Sequence, residues 1–330
     1  MADTAYDVVG IGNAIVDVIA HAEDALLAEL GLSKGVMTLI DSAEADRVYS
    51  KMGPGIECSG GSAGNTMAGI AALGGRGAYV GKVRDDQLGE VFRHDMRSIG
   101  VAFDTIAASD GPSTARCLVL VTADAQRTMQ TFLGACVDLG PEDIDTALIA
   151  SAKVTYLEGY LWDQPRAKQA FIKAAEAAHA AGREVALSLS DPFCVDRHRA
   201  DFLDLVAGHV DILFANESEI MSLYQTAAFD EALIAVRGHC RVAALTRGEK
   251  GSVVVAGDDV VVVGAEPVAK VVDTTGAGDL YAAGFLRGLT AGQDLATCAR
   301  LGGLCAAEII SHYGARPEAP LADLARAALV

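Results

Sequence analysis

Aromatic residues are scarce in this sequence: they make up 5% of its 330 residues, and only one of them is tryptophan. Because 51% of the residues are nevertheless hydrophobic, the core must consist mainly of alanine, valine, leucine and isoleucine. That composition is typical of parallel sheets covered by alanine-rich helices. The length exceeds the usual size of one domain, so we expect a large domain with an insertion, or two domains.

Positive charge is also in short supply, with 26 lysines and arginines against 44 acidic residues and a formal net charge of −18. Such an acidic chain is a poor candidate for binding nucleic acid or an anionic membrane surface. A phosphate site would have to be built locally, from backbone amides and a few well-placed cations.

Several familiar signatures are missing. The seven cysteines are scattered without CxxC spacing, which argues against zinc ligation or a disulfide framework. We see no signal peptide and no run of about 18 apolar residues, so we expect a cytoplasmic protein without a membrane partner. No GxxxxGK[ST], GxSxG or HExxH occurs, and "GIGNAI" departs from GxGxxG. These absences exclude a P-loop enzyme and disfavour a dinucleotide dehydrogenase.

Short β-branched runs alternate with longer helical patterns along most of the chain. This alternation predicts βαβ units and a doubly wound, mostly parallel, Rossmann-like α/β sheet. Two segments, 14–41 and 113–134, contain alternating apolar runs without intervening helices. We predict that they form a small antiparallel lid sheet over a core made of residues 1–13, 42–112 and 135–330.

The stretch "VVDTTGAGDLYAAGF" (271–285) has the composition of a phosphate loop at a helix N-terminus. Gly276 and Gly278 would let an anion approach unpaired amides closely. Asp279 has two interpretations that the motif alone leaves open. It is either the N-cap of the helix or a general base that takes a proton from an acceptor hydroxyl.

Two further polar clusters follow predicted strands. In "CSGGSAGNTMAGIAALGG", Gly60 and Gly61 are either a loop with an ordinary cap or the hinge of a lid, with Asn65 directed to the ligand edge. In "NESE", Asn216 and Glu219 form either a capping box or a polar pair that holds hydrated Mg²⁺.

The two glycine motifs, in this order, resemble the signature pair of the ribokinase-type (PfkB) carbohydrate kinases, over nearly the whole chain. The resemblance implies a ribokinase-like fold with a β lid and ATP-dependent phosphoryl transfer to a hydroxymethyl group. Asp279 would then be the base. The amides of Gly276, Ala277 and Gly278, together with Arg127 in the lid turn, would contact the transferring phosphate.

Within that family, "GNAIVDV", "YLEGY", "SDPF" and "DILFANESE" resemble the adenosine kinases more than the ribokinases or fructokinases. The resemblance implies that adenosine and ATP are converted to AMP and ADP. A ribokinase- or fructokinase-type sugar kinase, an inosine or guanosine kinase, and a non-catalytic binding protein of the same fold stay open as alternatives. The implied acceptor-site residues are Asn13, Asp17, Gly60, Gly61 and Asn65 for ribose, Tyr160 for stacking on the base, and Ile15, Leu39 and Met129 for apolar lid contacts.

The same resemblance implies which residues would contact ATP and its cations. Thr246 and Gly248, in "LTRGEKG", would lie beside the ribose and phosphates of ATP, and residues 305–318 would form the adenine-side wall. Asp273 would be a ligand of a monovalent cation such as K⁺, and Asn216 and Glu219 would hold Mg²⁺ through water. A monomer and a homodimer are equally compatible with the sequence.

Overall fold

A computed structural model describes residues 4–124 and 126–328, and within them nine strands form one large sheet. Its order is β14-β13-β12-β11-β10-β9-β1-β5-β6, parallel throughout except for β13 and β14, which pair antiparallel at one edge. The strands are β1 Tyr6–Ile11, β5 Gly77–Val80, β6 Ala102–Phe103, β9 Ala152–Glu158, β10 Glu184–Ser188, β11 Ile212–Asn216, β12 Val242–Thr246, β13 Ser252–Ala256 and β14 Asp259–Val263.

A second, five-stranded sheet has the order β3-β8-β7-β2-β4. Its strands are β2 Ile15–His21, β3 Met37–Leu39, β4 Gly55–Ser59, β7 Ala115–Val121 and β8 Arg127–Phe132. The prediction of an antiparallel sheet is wrong for two pairs, because β2 runs parallel to β7 and β3 parallel to β8. The sheet also contains β4, outside the segments 14–41 and 113–134. Residues 1–3, 125, 329 and 330 of the predicted core and lid lie outside the described residues.

Helices cover both faces of the large sheet, as the predicted doubly wound fold requires. The helices of the described residues are α1 Asp24–Leu30, α2 Ser42–Tyr49, α3 Ser62–Ala72, α4 Gln87–Ser98, α5 Thr146–Ala150, α6 Pro165–Ala180, α7 Pro192–His209, α8 Glu217–Tyr224, α9 Phe229–Val236, α10 Ala277–Thr290, α11 Leu295–Ile309 and α12 Leu321–Ala328, of which α2 packs against β7 and β8 of the second sheet. Val8 and Val9, neighbours on β1, are both fully buried but belong to different hydrophobic clusters. The central strands are therefore apolar on both sides, as is usual for parallel sheets.

Small residues let the helices that carry the site approach one another closely. A Cβ atom on Gly69 of α3 would lie 2.6 Å from the Cβ of Ala283 on α10. A Cβ on Gly284 would lie 2.4 Å from the carbonyl oxygen of Leu301 on α11. This close packing fixes the N-terminus of α10 beside that of α3, at the carboxyl edge of the sheet. Ligand sites of doubly wound folds lie at this edge. Within the described chain, no helix is both long and apolar enough to cross a bilayer.

Candidate active site

Asp279 is the third residue of α10, and its carboxylate is directed to α3 rather than to its own helix. Oδ1 accepts a hydrogen bond from the Ser62 hydroxyl at 2.6 Å, and Oδ2 accepts one from Asn65 Nδ2 at 2.9 Å. The N-cap is Gly276, in the left-handed region at φ 79°. The capping interpretation of Asp279 is therefore wrong. Burial raises the pKa of this carboxyl group, against the hydrogen bonds from Ser62 and Asn65.

The loop before α10 leaves space in front of its first amides. The Ala277 N–H is bonded to the Thr274 carbonyl at 3.2 Å. The amides that follow lie in the first turn of α10, where no carbonyl of the helix is available to accept a hydrogen bond from them. A Cβ atom added to Gly278 would meet no atom within 4 Å. At Gly276, by contrast, it would lie 2.8 Å from the Cβ of Ala315. Gly276 is thus needed for packing, while Gly278 keeps an open approach to the helix N-terminus, a setting that favours anions.

A buried glutamate, Glu158 at the end of β9, organises the other side of the site. One carboxylate oxygen accepts from Asn13 Nδ2 at 2.6 Å and from the Asn13 amide at 3.3 Å. The other accepts from the Ala63 amide, in the first turn of α3, at 2.8 Å. The residue is 1% exposed, and burial raises its pKa to about 7 in spite of these hydrogen bonds. Glu158 was missed as a site residue, although a charged residue that ends the apolar run "KVTYLE" was a visible signal.

One face of the five-stranded sheet carries the predicted lid-side residues. Asp17 lies opposite Cys58 and Cys117, and strand alternation puts four more of the predicted residues on the same face. These four are Ile15, Leu39, Arg127 and Met129. Burial raises the pKa of Asp17 to about 6, and the charges of Arg316 and Arg127 oppose that rise. Leu39 is 57% exposed, and Ile15 and Met129 are half-buried, so an apolar surface remains open beside the carboxyl group.

The paired glycines lie where this sheet meets the core. A Cβ atom on Gly60 would lie 2.7 Å from the Asp17 carboxyl group. Gly61 has φ 82°, and a Cβ atom there would lie 2.2 Å from the Asn13 carbonyl oxygen. Position 61 therefore requires glycine, whereas a side chain at position 60 would displace the Asp17 carboxyl group. Both glycines bring backbone up to predicted acceptor-site residues.

Tyr160 follows β9 in a short 3-10 helix, Gly159–Asp163, on the core side of the cleft. It is 38% exposed. Its amide donates to Ser190 Oγ at 3.1 Å, and its hydroxyl donates to the Ser190 carbonyl at 3.3 Å. These hydrogen bonds fix the ring while a large part of it stays uncovered.

Arg127 and Asp273 form an ion pair that joins β8 of the five-stranded sheet to the loop before α10. Arg127 Nη1 lies 2.5 Å from Asp273 Oδ2, which also accepts from the Gly314 amide at 3.0 Å. The other oxygen accepts from the amide and hydroxyl of Thr275, at 2.9 and 2.6 Å. Although burial disfavours the charge, these hydrogen bonds keep the pKa of Asp273 below its ordinary value. Both oxygens of Asp273 are thus in use, and its assignment to a monovalent cation stays a prediction.

Asn216 and Glu219 form a complete capping box at the start of α8. Asn216 Oδ1 accepts from the Glu219 amide at 2.9 Å, while the Glu219 carboxylate accepts from the Asn216 amide at 2.8 Å and from its Nδ2 at 2.6 Å. Among the described residues, no group of three or more histidine, cysteine, aspartate or glutamate side chains could hold a metal ion. The pair therefore fits Mg²⁺ only through intervening water. Thr246 and Gly248 lie next along the same sheet edge, at the end of β12.

Two more residues of the site were not predicted individually, although Ser62 lies in a recognised glycine motif and Arg316 in the segment 305–318 that was assigned to the adenine-side wall. Ser62 donates to Asp279, although "GGSAGN" had been interpreted only through its glycines and asparagine. Arg316 donates to the carbonyl and hydroxyl of Ser59, at 2.5 and 2.8 Å, and to the Gly64 carbonyl at 3.1 Å. Its position between two glycine motifs that lie far apart in sequence could not be inferred from the chain alone.

These features match a known family. The sequence pattern described as "pfkB family carbohydrate kinase" matches residues 40–322, and the chain belongs to that family. It is a phosphotransferase that acts on an alcohol group, and family membership implies ATP as the phosphoryl donor.

Two solved structures are similar over 98% of this chain and 99% of their own. One is described as adenosine kinase from Sinorhizobium meliloti (56% identity, TM-score 0.90). The other is a probable sugar kinase from Rhizobium etli CFN 42 (51% identity, TM-score 0.91). Adenosine kinase of Saccharomyces cerevisiae is 28% identical over 92% of this chain and 94% of its own length.

Proposed function

We propose that this chain is a nucleoside kinase that converts adenosine and ATP to AMP and ADP. The observation that carries the proposal is the Asp279 carboxylate, in the first turn of α10, which Ser62 and Asn65 hold by two hydrogen bonds. A carboxylate in this position suits an acceptor hydroxyl that meets a phosphoryl group at the helix N-terminus. The 56% identity to a structure described as adenosine kinase supports the choice of acceptor.

On the acceptor side, Asp17, Asn13, Asn65 and the backbone at Gly61 bind the ribose hydroxyls. The 5′-hydroxyl then lies against Asp279, which accepts its proton. A bond forms between the 5′-oxygen and the terminal phosphorus of ATP, and the bond from that phosphorus to the bridging oxygen breaks, with the electron pair leaving on ADP. Asn65 keeps the second Asp279 oxygen engaged, so the carboxylate stays oriented during the transfer.

On the phosphate side, the amides of Gly276 and Gly278 stabilise the charge on the transferring group, and the Ala277 amide joins them when it leaves the Thr274 carbonyl. Arg127 exchanges its ion pair with Asp273 for the phosphate when the lid sheet closes and excludes water. Mg²⁺, when bound, neutralises phosphate charge, and Asn216 and Glu219 contact it only through water. Thr246 and Gly248 line the nucleotide side.

The base of the nucleoside would lie between Tyr160 and the apolar side chains of Ile15, Leu39 and Met129. This exposed apolar surface favours a nucleoside over a free sugar, which offers no aromatic face. A sugar kinase is the second candidate. It is favoured by a relative described as ATP-dependent ribose-1-phosphate kinase from Halopiger xanaduensis, which is 31% identical over 83% of this chain and 87% of its own length. Inosine and guanosine are the alternative nucleosides.

The test measures ADP formation with adenosine, inosine, guanosine, ribose and fructose. We expect the highest kcat/KM for adenosine. Tyr160→Ala should raise the KM for the nucleoside about 5- to 150-fold, because stacking on an aromatic ring contributes roughly 1–3 kcal/mol per base. Tyr49→Ala is the matched control, since Tyr49 is similarly exposed but lies on α2. A higher kcat/KM for a free sugar than for any nucleoside would overturn the proposal.

A further inference from the structure

The segment between α11 and α12 is hydrogen-bonded to the phosphate loop that precedes α10. The Val272 amide donates to the Ile310 carbonyl at 2.8 Å, and the Gly314 amide donates to Asp273 at 3.0 Å. Ala315 packs so closely against Gly276 that a Cβ atom on that glycine would lie 2.8 Å from the alanine side chain. The backbone of this segment is thus fixed to the loop from which α10 begins.

The Arg316 side chain extends from this segment to the acceptor side of the site. Two of its hydrogen bonds go to Ser59, the last residue of β4, directly before the glycine pair. The third goes to the Gly64 carbonyl, in the turn of α3 that presents Ser62 and Asn65 to Asp279. One guanidinium therefore connects the phosphate-loop side, the junction of the two sheets and the helix that orients the proposed base.

The surroundings of Arg316 are acidic, yet all three of these hydrogen bonds go to uncharged oxygens. Asp17 on β2, Asp95 on α4, Asp279 on α10 and the Cys58 thiol on β4 are the titratable groups that influence it. Burial lowers the pKa of Arg316, and these neighbours oppose that change. In return, the Arg316 charge lowers the pKa of Asp17 and of Asp279, against the effect of burial on both.

We propose that Arg316 is a positioning residue of the transfer site. It holds the glycine pair and the first turn of α3 in register with the phosphate loop, and it provides a fixed positive charge between Asp17 and Asp279. The role assigned to Asp279 rests on the proposed function. The connection itself is required for any acceptor hydroxyl, whether it belongs to a nucleoside or a sugar.

The test compares Arg316→Met, which keeps most of the length without the charge, with Arg316→Lys, which keeps the charge but not the planar fork. Arg326→Met, an exposed arginine of α12, is the control for loss of one positive charge. The enzyme is assayed with whichever acceptor gives the highest kcat/KM, so a sugar preference would contradict the nucleoside proposal and leave this one testable. The measurements are kcat, both KM values, the pH dependence of kcat and the melting temperature.

Arg316→Met should lower kcat on the order of 10²-fold through misplacement of the reacting groups. It should also move the acid limb of the kcat profile to higher pH, because the Asp279 carboxylate loses the favourable charge of Arg316. Arg316→Lys should restore the position of the limb while kcat stays reduced, and Arg326→Met should change neither.

An unmoved acid limb in Arg316→Met, with a lower melting temperature, would overturn the proposal in favour of a purely structural role. If Arg316→Met does not fold, the positioning role is tested with Arg316→Lys instead. Reduced kcat at an unchanged melting temperature supports the positioning role, and wild-type kcat contradicts it.

Discussion

Individual carboxylates hold the proposed acceptor site together, and their donors come from distant parts of the chain. Glu158 binds Asn13 and Ala63, and Asp279 binds Ser62 and Asn65 across 217 and 214 residues of sequence. An ionised carboxylate withdrawn from water is costly unless several donors satisfy it. The donors and the carboxylates therefore orient one another. Substitution of a donor should disturb the orientation of the carboxylate to which it is bonded.

The stability of the protein should depend on pH through Glu158. Its pKa is about 7 in the folded protein against 4.5 as the ordinary value, so the folded state binds the proton more tightly. The associated stabilisation is fully present below about pH 4.5 and is lost as pH rises through 7. Relative to Glu158→Gln, which cannot titrate, the wild type should gain up to about 3 kcal/mol in free energy of unfolding between pH 7.5 and 4.5.

Urea unfolding of both proteins across this range measures that difference. Glu249→Gln, at an exposed turn, is the control for removal of a carboxylate. A stability difference between the wild type and Glu158→Gln that stays constant with pH would contradict the raised pKa.

At the start of α10, Gly276 packs against Ala315, whereas Gly278 leaves the approach to the helix N-terminus open. An alanine at position 278 meets no neighbour within 4 Å, and alanine is the better helix former. Gly278→Ala should therefore keep or raise the melting temperature. Its methyl group would nevertheless occupy the space in front of the helix amides. Crowding of this kind costs about 1–3 kcal/mol, so kcat/KM for ATP should fall roughly 5- to 150-fold.

Gly208→Ala is the matched control, because that glycine also lies in a helix, α7, with nothing within 4 Å of the added Cβ atom. It should stabilise the protein without changing kcat/KM. Unchanged turnover of ATP in Gly278→Ala would show that no phosphate approaches this position.

Elements with a strong local pattern were predictable from sequence, and those fixed by tertiary pairing were not. The apolar strands β1, β9 and β11 and the capping box of Asn216 and Glu219 follow from local patterns. The strand β4, "GIECS", starts with glycine and has no clear alternation, so it was not predicted. It exists because it pairs with β2 through five residues of register. The parallel pairing of β2 with β7 likewise depends on contacts across about 100 residues, which local sequence does not encode.

In the whole molecule, both sheets and the segment between α11 and α12 meet at the candidate active site. The family resemblance identified Asn13, Asn65 and Asp279 as a set and implied that Asp279 is the base, whereas the local motif also allowed a cap. The folded chain excludes the cap, because the N-cap is Gly276 and the Asp279 carboxylate is bonded to α3. The role as base belongs to the proposed function. The ion pair of Arg127 with Asp273 had no sequence signal either, since each residue had been assigned to a different ligand.

If Asp279 takes the proton of the acceptor hydroxyl, Asp279→Asn removes the proton acceptor while it keeps the size of the side chain. The asparagine oxygen can still accept from Asn65, and the Ser62 hydroxyl can turn to accept from the new amide, so the fold should be preserved. Asp294→Asn is the control, because Asp294 is a true N-cap, on α11, where asparagine serves about as well.

The decisive measurement is kcat and melting temperature on the same preparation of Asp279→Asn. General-base catalysis contributes about 10²- to 10⁴-fold, so kcat should fall by that order while the melting temperature stays near that of the wild type. Asp294→Asn should leave both unchanged. A folded Asp279→Asn protein with near-wild-type kcat would contradict the mechanism.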